Sequence, residues 1–333
     1  MSANEILRES PRGDGAATTH GGAILPPSRI AVTGASGLVG ARLSELLIAG
    51  GHDVRRVVRR SSGAAGEITW DPAAGRIDTP ALEAMDAIVH LAGESIASGR
   101  WTAERKRRIL ASRVDGTQLL CETLAGLARK PRTLVCASAI GIYGDRGDAM
   151  LDETSAGGEG FLAEVCRQWE SAAAPARAAG IRVVHLRIGV ILSPLGGALA
   201  QMLPAFRAGL GGRLGPGTQF LSWVSLEDLV SAILHCIATP ALQGAVNATA
   251  PVPVTNSELT RALAGALHRP ALLPVPAFVL RLLLGEMADE LLLASTRALP
   301  RRLLETGFEF RDREISAALA SMLARQHTRA PSR

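Results

Sequence analysis

The stretch Arg29-Ile30-Ala31-Val32-Thr33-Gly34-Ala35-Ser36-Gly37-Leu38-Val39-Gly40 leaves this chain little freedom in how it folds. The β-branched run ending at Thr33 predicts a strand, and the apolar series Leu38, Val39, Leu43, Leu46, Leu47 predicts a helix behind it. Between them Gly34, Gly37 and Gly40 form a G-x-x-G-x-x-G spacing rather than G-x-G-x-x-G. Gly34 turns the chain where a Cβ would clash. Gly37 lets backbone approach a phosphate, and Gly40 lets the helix pack closely on its strand. Free N–H groups at the helix start, with the positive end of its dipole, suit a pyrophosphate. The turn therefore reads as a dinucleotide site built from Gly34, Ser36, Gly37, Leu38 and Val39.

The next strand refines that reading. Gly50-Gly51-His52 stops the helix, and residues 53–60 give a second strand ending at Arg59-Arg60-Ser61-Ser62. At this place an Asp or Glu reads a free ribose 2′-hydroxyl, whereas a 2′-phosphate needs cations. Arg59 and Arg60 thus favour NADP(H) over NAD(H). A continuous apolar strand follows at residues 87–93, whose end, Leu91-Ala92-Gly93, is small enough to line the cofactor's path. His90 within it reads as a packed core histidine.

Strand and helix then alternate, which predicts an α/β fold with a doubly wound, Rossmann-like parallel sheet. A long helix spans residues 101–127, with Arg105-Lys106-Arg107-Arg108 as a solvated charge run. Residues 132–137 form a strand that opens into Ser138 to Asp145, and a loop follows to Gly160. Phe161, Val165, Trp169 and Ala173 predict one amphipathic helix over 161–178, and a sixth strand runs from Ile181 into Arg187-Ile188-Gly189. Beyond lie a glycine-rich segment at 209–217, a strand at 220–224, a helix at 226–237 and a strand at 245–249. Thr255-Asn256-Ser257-Glu258 opens a capped helix, and helices continue to the end. Residues 1–28 read as a disordered tail without leader character. Residues 29–190, with parts of 220–250, form the NADP-binding domain, and 191–330 form a smaller, mostly helical substrate lobe.

Composition narrows the partners. The +5 net charge is spread along the chain and aromatics make up 3%, so a nucleic-acid surface is excluded. No run of ~18 apolar residues is present, which excludes a transmembrane helix. Cys121, Cys136, Cys166 and Cys236 show no metal spacing and read as buried thiols of a reducing compartment, the cytoplasm. A small-molecule substrate, no metal, and a monomer or homodimer complete the expectation.

Thr33 to Gly40, His90-Leu91-Ala92-Gly93, Ser138 to Tyr143-Gly144 and Leu186-Arg187-Ile188-Gly189 stand in the order that resembles the extended short-chain dehydrogenase/reductase superfamily, which includes sugar-nucleotide epimerases. Ser98-Gly99-Arg100-Trp101-Thr102, Phe161 to Cys166, Ser222-Trp223-Val224 and Leu273 to Phe278 are similar to its epimerase-family proteins of unknown substrate. Leu284 to Asp289 and Gly307-Phe308 resemble the C-terminal domain of unknown function those proteins carry, here over about 270–325. The resemblance covers residues 29–325 and implies that Arg187 and Gly189 lie on the cofactor side. It also implies that the superfamily's active-site residues are missing.

The residues bear that out directly. Superfamily chemistry pairs a tyrosine with a lysine four residues on, the lysine lowering the phenol's pKa. Here Gly147 follows Tyr143 at that distance, and Phe161 and Val165, or Leu162 and Cys166, occupy the helix where the pair belongs. Tyrosine–lysine catalysis is ruled out. One reading is then an NADP(H)-dependent oxidoreductase or epimerase-like enzyme with a displaced acid/base, acting on a sugar nucleotide or small carbonyl compound. Its candidates are Ser138, Tyr143 and Glu164, with Glu94, Asp145 and Lys106 behind them; Glu164 or Glu94, if partly buried, would have a raised pKa and act as base. The alternative is a regulatory or sensor protein that holds NADP(H) without turnover. A third reading makes Leu280 to Leu284 and Leu291 to Leu293 an interaction surface.

Overall fold

A computed structural model describes residues 25–329, so most of the stretch read as a tail lies outside the described residues. The strands are β1 (Arg29–Thr33), β2 (Asp53–Val58), β3 (Glu67–Asp71), β4 (Arg76–Ile77), β5 (Ala87–His90), β6 (Thr133–Ala139) and β7 (Met150–Leu151). They continue as β8 (Arg182–Ile188), β9 (Val190–Ser193), β10 (Phe220–Leu221), β11 (Trp223–Ser225), β12 (Gly244–Ala248), β13 (Val254–Thr255) and β14 (Arg297–Ala298). The helices are α1 (Leu38–Ala49), α2 (Ala103–Gly126), α3 (Phe161–Ser171), α4 (Ala174–Ala178) and α5 (Gly197–Arg207). After them come α6 (Leu226–Ala238), α7 (Asn256–Leu267), α8 (Ala277–Leu284), α9 (Arg301–Glu305) and α10 (Ile315–Arg329).

Eight strands form one sheet in the order β12-β8-β6-β5-β1-β2-β3-β4, parallel except for β4. Alternation along β1 explains why helices cover both faces. Ile30 and Val32 pack with α1 and α6, through Leu43, Leu47, Leu229 and Ile233, while Ala31 faces Leu120 and Leu124 of α2 and Trp169 of α3. All of these side chains but Trp169 are fully closed to water, and each such leucine contributes roughly 1.5–3 kcal/mol. A separate apolar cluster joins α5, α7 and α10. Strand order reverses between β1 and β5, which is where a doubly wound sheet opens its ligand crevice.

Several local expectations change. The helix expected over 161–178 breaks after Ser171, because Pro175 has no N–H to donate and sits in the first turn of a new helix. The loop after Asp145 contains β7, which pairs in parallel with β14 from the C-terminal region. The strand expected at 220–224 divides: Phe220 and Leu221 pair with β13, whereas Trp223 to Ser225 pair with β9. Among the described residues no helix is long and apolar enough to cross a membrane, and no cluster of ligating side chains could hold a metal ion. The cysteines are buried free thiols, and burial pushes Cys121 and Cys236 up to about 12.

Candidate functional site

The glycine turn closes as its spacing demands. Gly34 has φ +68°, and a Cβ there would meet the Leu91 carbonyl at 2.9 Å; one on Gly40 would lie 2.2 Å from the Gly34 oxygen. The Gly37 N–H donates to the Gly34 carbonyl at 3.0 Å and Gly37 caps α1 without any side-chain hydrogen bond. No acidic residue stands in the first turn of α1. Among the described residues its leading N–H groups meet no acceptor, and they carry the positive end of the dipole. Ser36 and Gly37 are exposed, and Leu38 and Val39 half-buried.

Thr33 ties this turn to the next strand. Its Oγ1 accepts N–H groups of Leu91 and Ala92 at 3.1 and 3.2 Å and lies 2.7 Å from His90 Nδ1. His90 Nε2 is 3.0 Å from Thr117 Oγ1, which also accepts the Trp169 indole N–H at 3.0 Å. Burial pushes His90 down to about 4, so it stays neutral in the core, as the sequence suggested. Gly93 follows in the open, with the Arg113 guanidinium beside it and stacked 5.0 Å over Trp169. Sequence reasoning passed over Arg113, since nothing local distinguishes it from other helical arginines. At the end of β2, Arg59 and Arg60 are both exposed, one and two residues beyond the strand.

Of the three residues expected to carry acid/base chemistry, Ser138 and Tyr143 join one buried network and Glu164 stands apart from it. Ser138 is buried and donates to Glu170 Oε1 at 2.8 Å. Glu170 also receives Arg187 Nε and Nη2 at 2.9 and 3.0 Å. Arg187 Nη1 donates to the Tyr143 hydroxyl at 3.0 Å, and that hydroxyl lies 2.9 Å from the Asp152 carbonyl and 2.8 Å from Asn247 Oδ1. Tyr143 is thus closed to solvent with its oxygen fully engaged, and burial raises its pKa. Arg187, expected on the cofactor side, faces this network because Ser138, Arg187 and Asn247 share one register across β6, β8 and β12. Gly189 is required by packing: a Cβ there would lie 2.6 Å from the Ser222 carbonyl. Glu164 corrects its expectation as well. It is exposed on α3, and hydrogen bonds from Gln168 and Arg167 lower its pKa instead of raising it. Asp145 serves as a turn former, accepting the Gly147 and Ser295 N–H groups.

A different group gathers at the start of α3, where the superfamily's tyrosine would stand. Phe161 makes an edge contact with Trp101 at 5.1 Å, and Lys106 Nζ lies 4.8 Å above its ring. Lys106 pairs with Glu286, and Glu290 accepts the N–H groups of Phe161 and Leu162 at 2.7 Å each. Lys106 and Arg105, which pairs with Glu94, are therefore not the solvated face that their charge run suggested. A cavity of about 250 Å³ lies alongside, lined by Gly141, Gly144, Asp145, Leu162, Arg281 and Glu290 among others. Of the leucines read as an interaction surface, Leu280 is buried while Leu282 and Leu283 are exposed.

Residues 30–248 match the NAD dependent epimerase/dehydratase family, and residues 275–322 match a domain of unknown function, DUF1731. Epimerase family protein Mb2239 of Mycobacterium bovis is 45% identical over 292 residues, covering 87% of this chain and 96% of its own. The Arabidopsis thaliana epimerase family protein SDR39U1 homolog, named as chloroplastic, is 39% identical over 310 residues, 88% of this chain and 86% of its own. The crystal structure of human epimerase family protein SDR39U1 (isoform 2) with NADPH superimposes with a TM-score of 0.82 at 35% identity, over 89% of this chain and 99% of that one. This chain belongs to the NAD dependent epimerase/dehydratase family, and its last part carries the DUF1731 domain.

Proposed function

We propose that this protein binds NADP(H) across the carboxyl ends of β1, β2 and β5 and reduces a small carbonyl compound or sugar nucleotide held between that edge and the C-terminal lobe. The observation that carries the reading is the uncapped start of α1 behind a turn that only glycine fits. Such a cradle suits a pyrophosphate in shape and charge. Arg59 and Arg60 supply the cations a 2′-phosphate needs, and the human relative crystallised with NADPH supports the same choice. Bound NADPH supplies a hydride. The chain's own task is to hold it, with Leu91 to Gly93 beneath, and to deliver a proton. Lys106 is the group we assign to that step, because it is the cation brought to the ring of Phe161. Its Nζ gives up the proton to the product oxygen and Glu286 holds it in place. Four buried free thiols suit a reducing compartment, and on that ground we assign the protein to the cytoplasm.

Titration with NADPH and NADH tests the binding, and NADPH consumption across a carbonyl panel tests the turnover. Arg59→Asp weakens NADPH about tenfold or more and spares NADH; equal wild-type affinities refute the assignment. A second reading, a sensor that binds NADP(H) without turnover, is favoured by the engagement of Ser138, Tyr143 and Glu164 with protein partners. Tight binding with no consumption of NADPH on any panel member selects it.

A further inference from the structure

The loop that carries Arg59 and Arg60 is held from inside by one carboxylate. Glu67 opens β3, paired in register with Arg56 of β2. Its carboxylate accepts Ser61 Oγ at 3.0 Å, the Ser62 N–H at 2.7 Å and Ser62 Oγ at 2.8 Å, and Arg56 Nη2 approaches to 3.4 Å. The Glu67 side chain is 6% exposed and that of Arg56 43%. The loop doubles back through Gly63 and Gly66, with φ of +79° and +81°, and the Gly63 N–H closes on Ser61 Oγ at 3.1 Å. This carboxylate thus stands next to the place where a ribose-reading acid is found in NAD folds. Here its oxygens are turned into the loop and engaged by their donors, which hold its pKa down and keep it ionised.

We propose that Glu67 is the positioning residue for recognition of the cofactor's 2′-phosphate: it fixes the backbone after Val58 so that Arg59 and Arg60 are presented together. Its oxygens are meanwhile occupied by Ser61, Ser62 and Arg56 and turned away from the phosphate's side of the loop. The inference rests on the NADP(H) reading above. Ordering two long cations before the ligand arrives removes part of the entropy cost of binding them. A carboxylate left loose beside them would instead repel the phosphate.

The test is Glu67→Gln, read by dissociation constants for NADPH and NADH and by trypsin cleavage after Arg59 and Arg60 in the cofactor-free protein. A glutamine oxygen cannot match a carboxylate for these donors, so the NADPH constant rises about tenfold while NADH shifts less than about twofold. Trypsin cuts the loop several-fold faster. A Ser61→Ala/Ser62→Ala double variant keeps the acid, removes two of its donors and moves both readouts the same way; it answers the question if Glu67→Gln does not fold. Equal weakening of both dinucleotides, or an unchanged NADPH constant and cleavage rate, overturns the inference. A wild type that prefers NADH overturns the NADP(H) reading and this inference together. A wild type that prefers NADPH beside an indifferent Glu67→Gln overturns this inference alone.

Discussion

Glu170 and Arg187 meet through two parallel hydrogen bonds, 2.9 and 3.0 Å, with their side chains only 14% and 11% exposed. Burial by itself would lift the Glu170 carboxyl, but the hydrogen bonds and charge of Arg187 outweigh it and hold it below the usual value. Removing one partner strands the other charge, so Arg187→Met costs about 3–5 kcal/mol in urea unfolding at neutral pH. The pH sign follows from the lowered carboxyl. The pair's stability is complete above the unfolded carboxylate pKa and is lost as pH falls through the lower, folded value. Glu170→Gln therefore flattens the acid limb of the unfolding midpoint against pH.

Tyr143→Phe separates a strut from a catalyst. Deleting the hydroxyl leaves Arg187 Nη1 and Asn247 Oδ1 short of a partner in a closed site, which costs about 1–3 kcal/mol. Affinity for NADPH and any NADPH-consuming activity stay near wild type, measured at a temperature where both proteins are folded. A hundredfold loss of activity with unchanged stability contradicts the strut.

Local geometry was legible and distant geometry was not. The need for Gly40 arises against Gly34 and Ala35, a few positions back, so spacing alone exposes it, whereas the neighbour that crowds Gly34 is Leu91 of the next strand. Tyr143 looks chemical in sequence because its burial depends on Asn247 and Arg187, which only the sheet register brings to it. Glu290 capping Phe161 crosses a similar distance, and so does the pairing of two-residue β7 with β14. Such short strands carry no alternation to read. The break within 161–178 had a local sign, Pro175, which the alanine-rich apolar periodicity masked.

Burial of His90 makes the fold acid-sensitive. Its folded pKa, about 4, lies below the ordinary histidine value of 6.5, so as pH falls the unfolded chain takes up the proton first. This contribution is whole above about 6.5 and is lost progressively down to about 4, worth about 3 kcal/mol in all. His185, likewise pushed down to about 4 by burial, adds to the same limb. Urea midpoints at pH 7 and pH 5 report the loss, and His90→Gln reduces it without removing it.

Gly40→Ala tests the cradle without removing any polar group. The added Cβ would sit 2.2 Å from the Gly34 oxygen, so α1 must shift away from the turn. The overpacking costs about 1–3 kcal/mol, and NADPH and NADH weaken alike because the pyrophosphate seat is common to both. Gly75→Ala is the control: its Cβ meets open space, and only the left-handed φ of +64° is penalised, by about 1–2 kcal/mol. Dinucleotide affinity unchanged in Gly40→Ala would remove the start of α1 from the binding site.

Lys106→Met separates proton delivery from cofactor binding. Methionine keeps an apolar side chain against the ring of Phe161 but removes the proton and the pairing with Glu286. Loss of a positioned acid lowers kcat by about 10²–10⁴-fold, while the NADPH dissociation constant is unchanged because the α1 cradle and Arg59 lie on other elements. Lys106→Arg preserves the pairing with Glu286 yet cannot release its proton at neutral pH. Arginine rescue of stability without rescue of kcat assigns Lys106 to the chemical step. Equal activity in all three proteins leaves Lys106 as a tether between α2 and the C-terminal domain, and turns the balance toward a protein that holds its cofactor without consuming it.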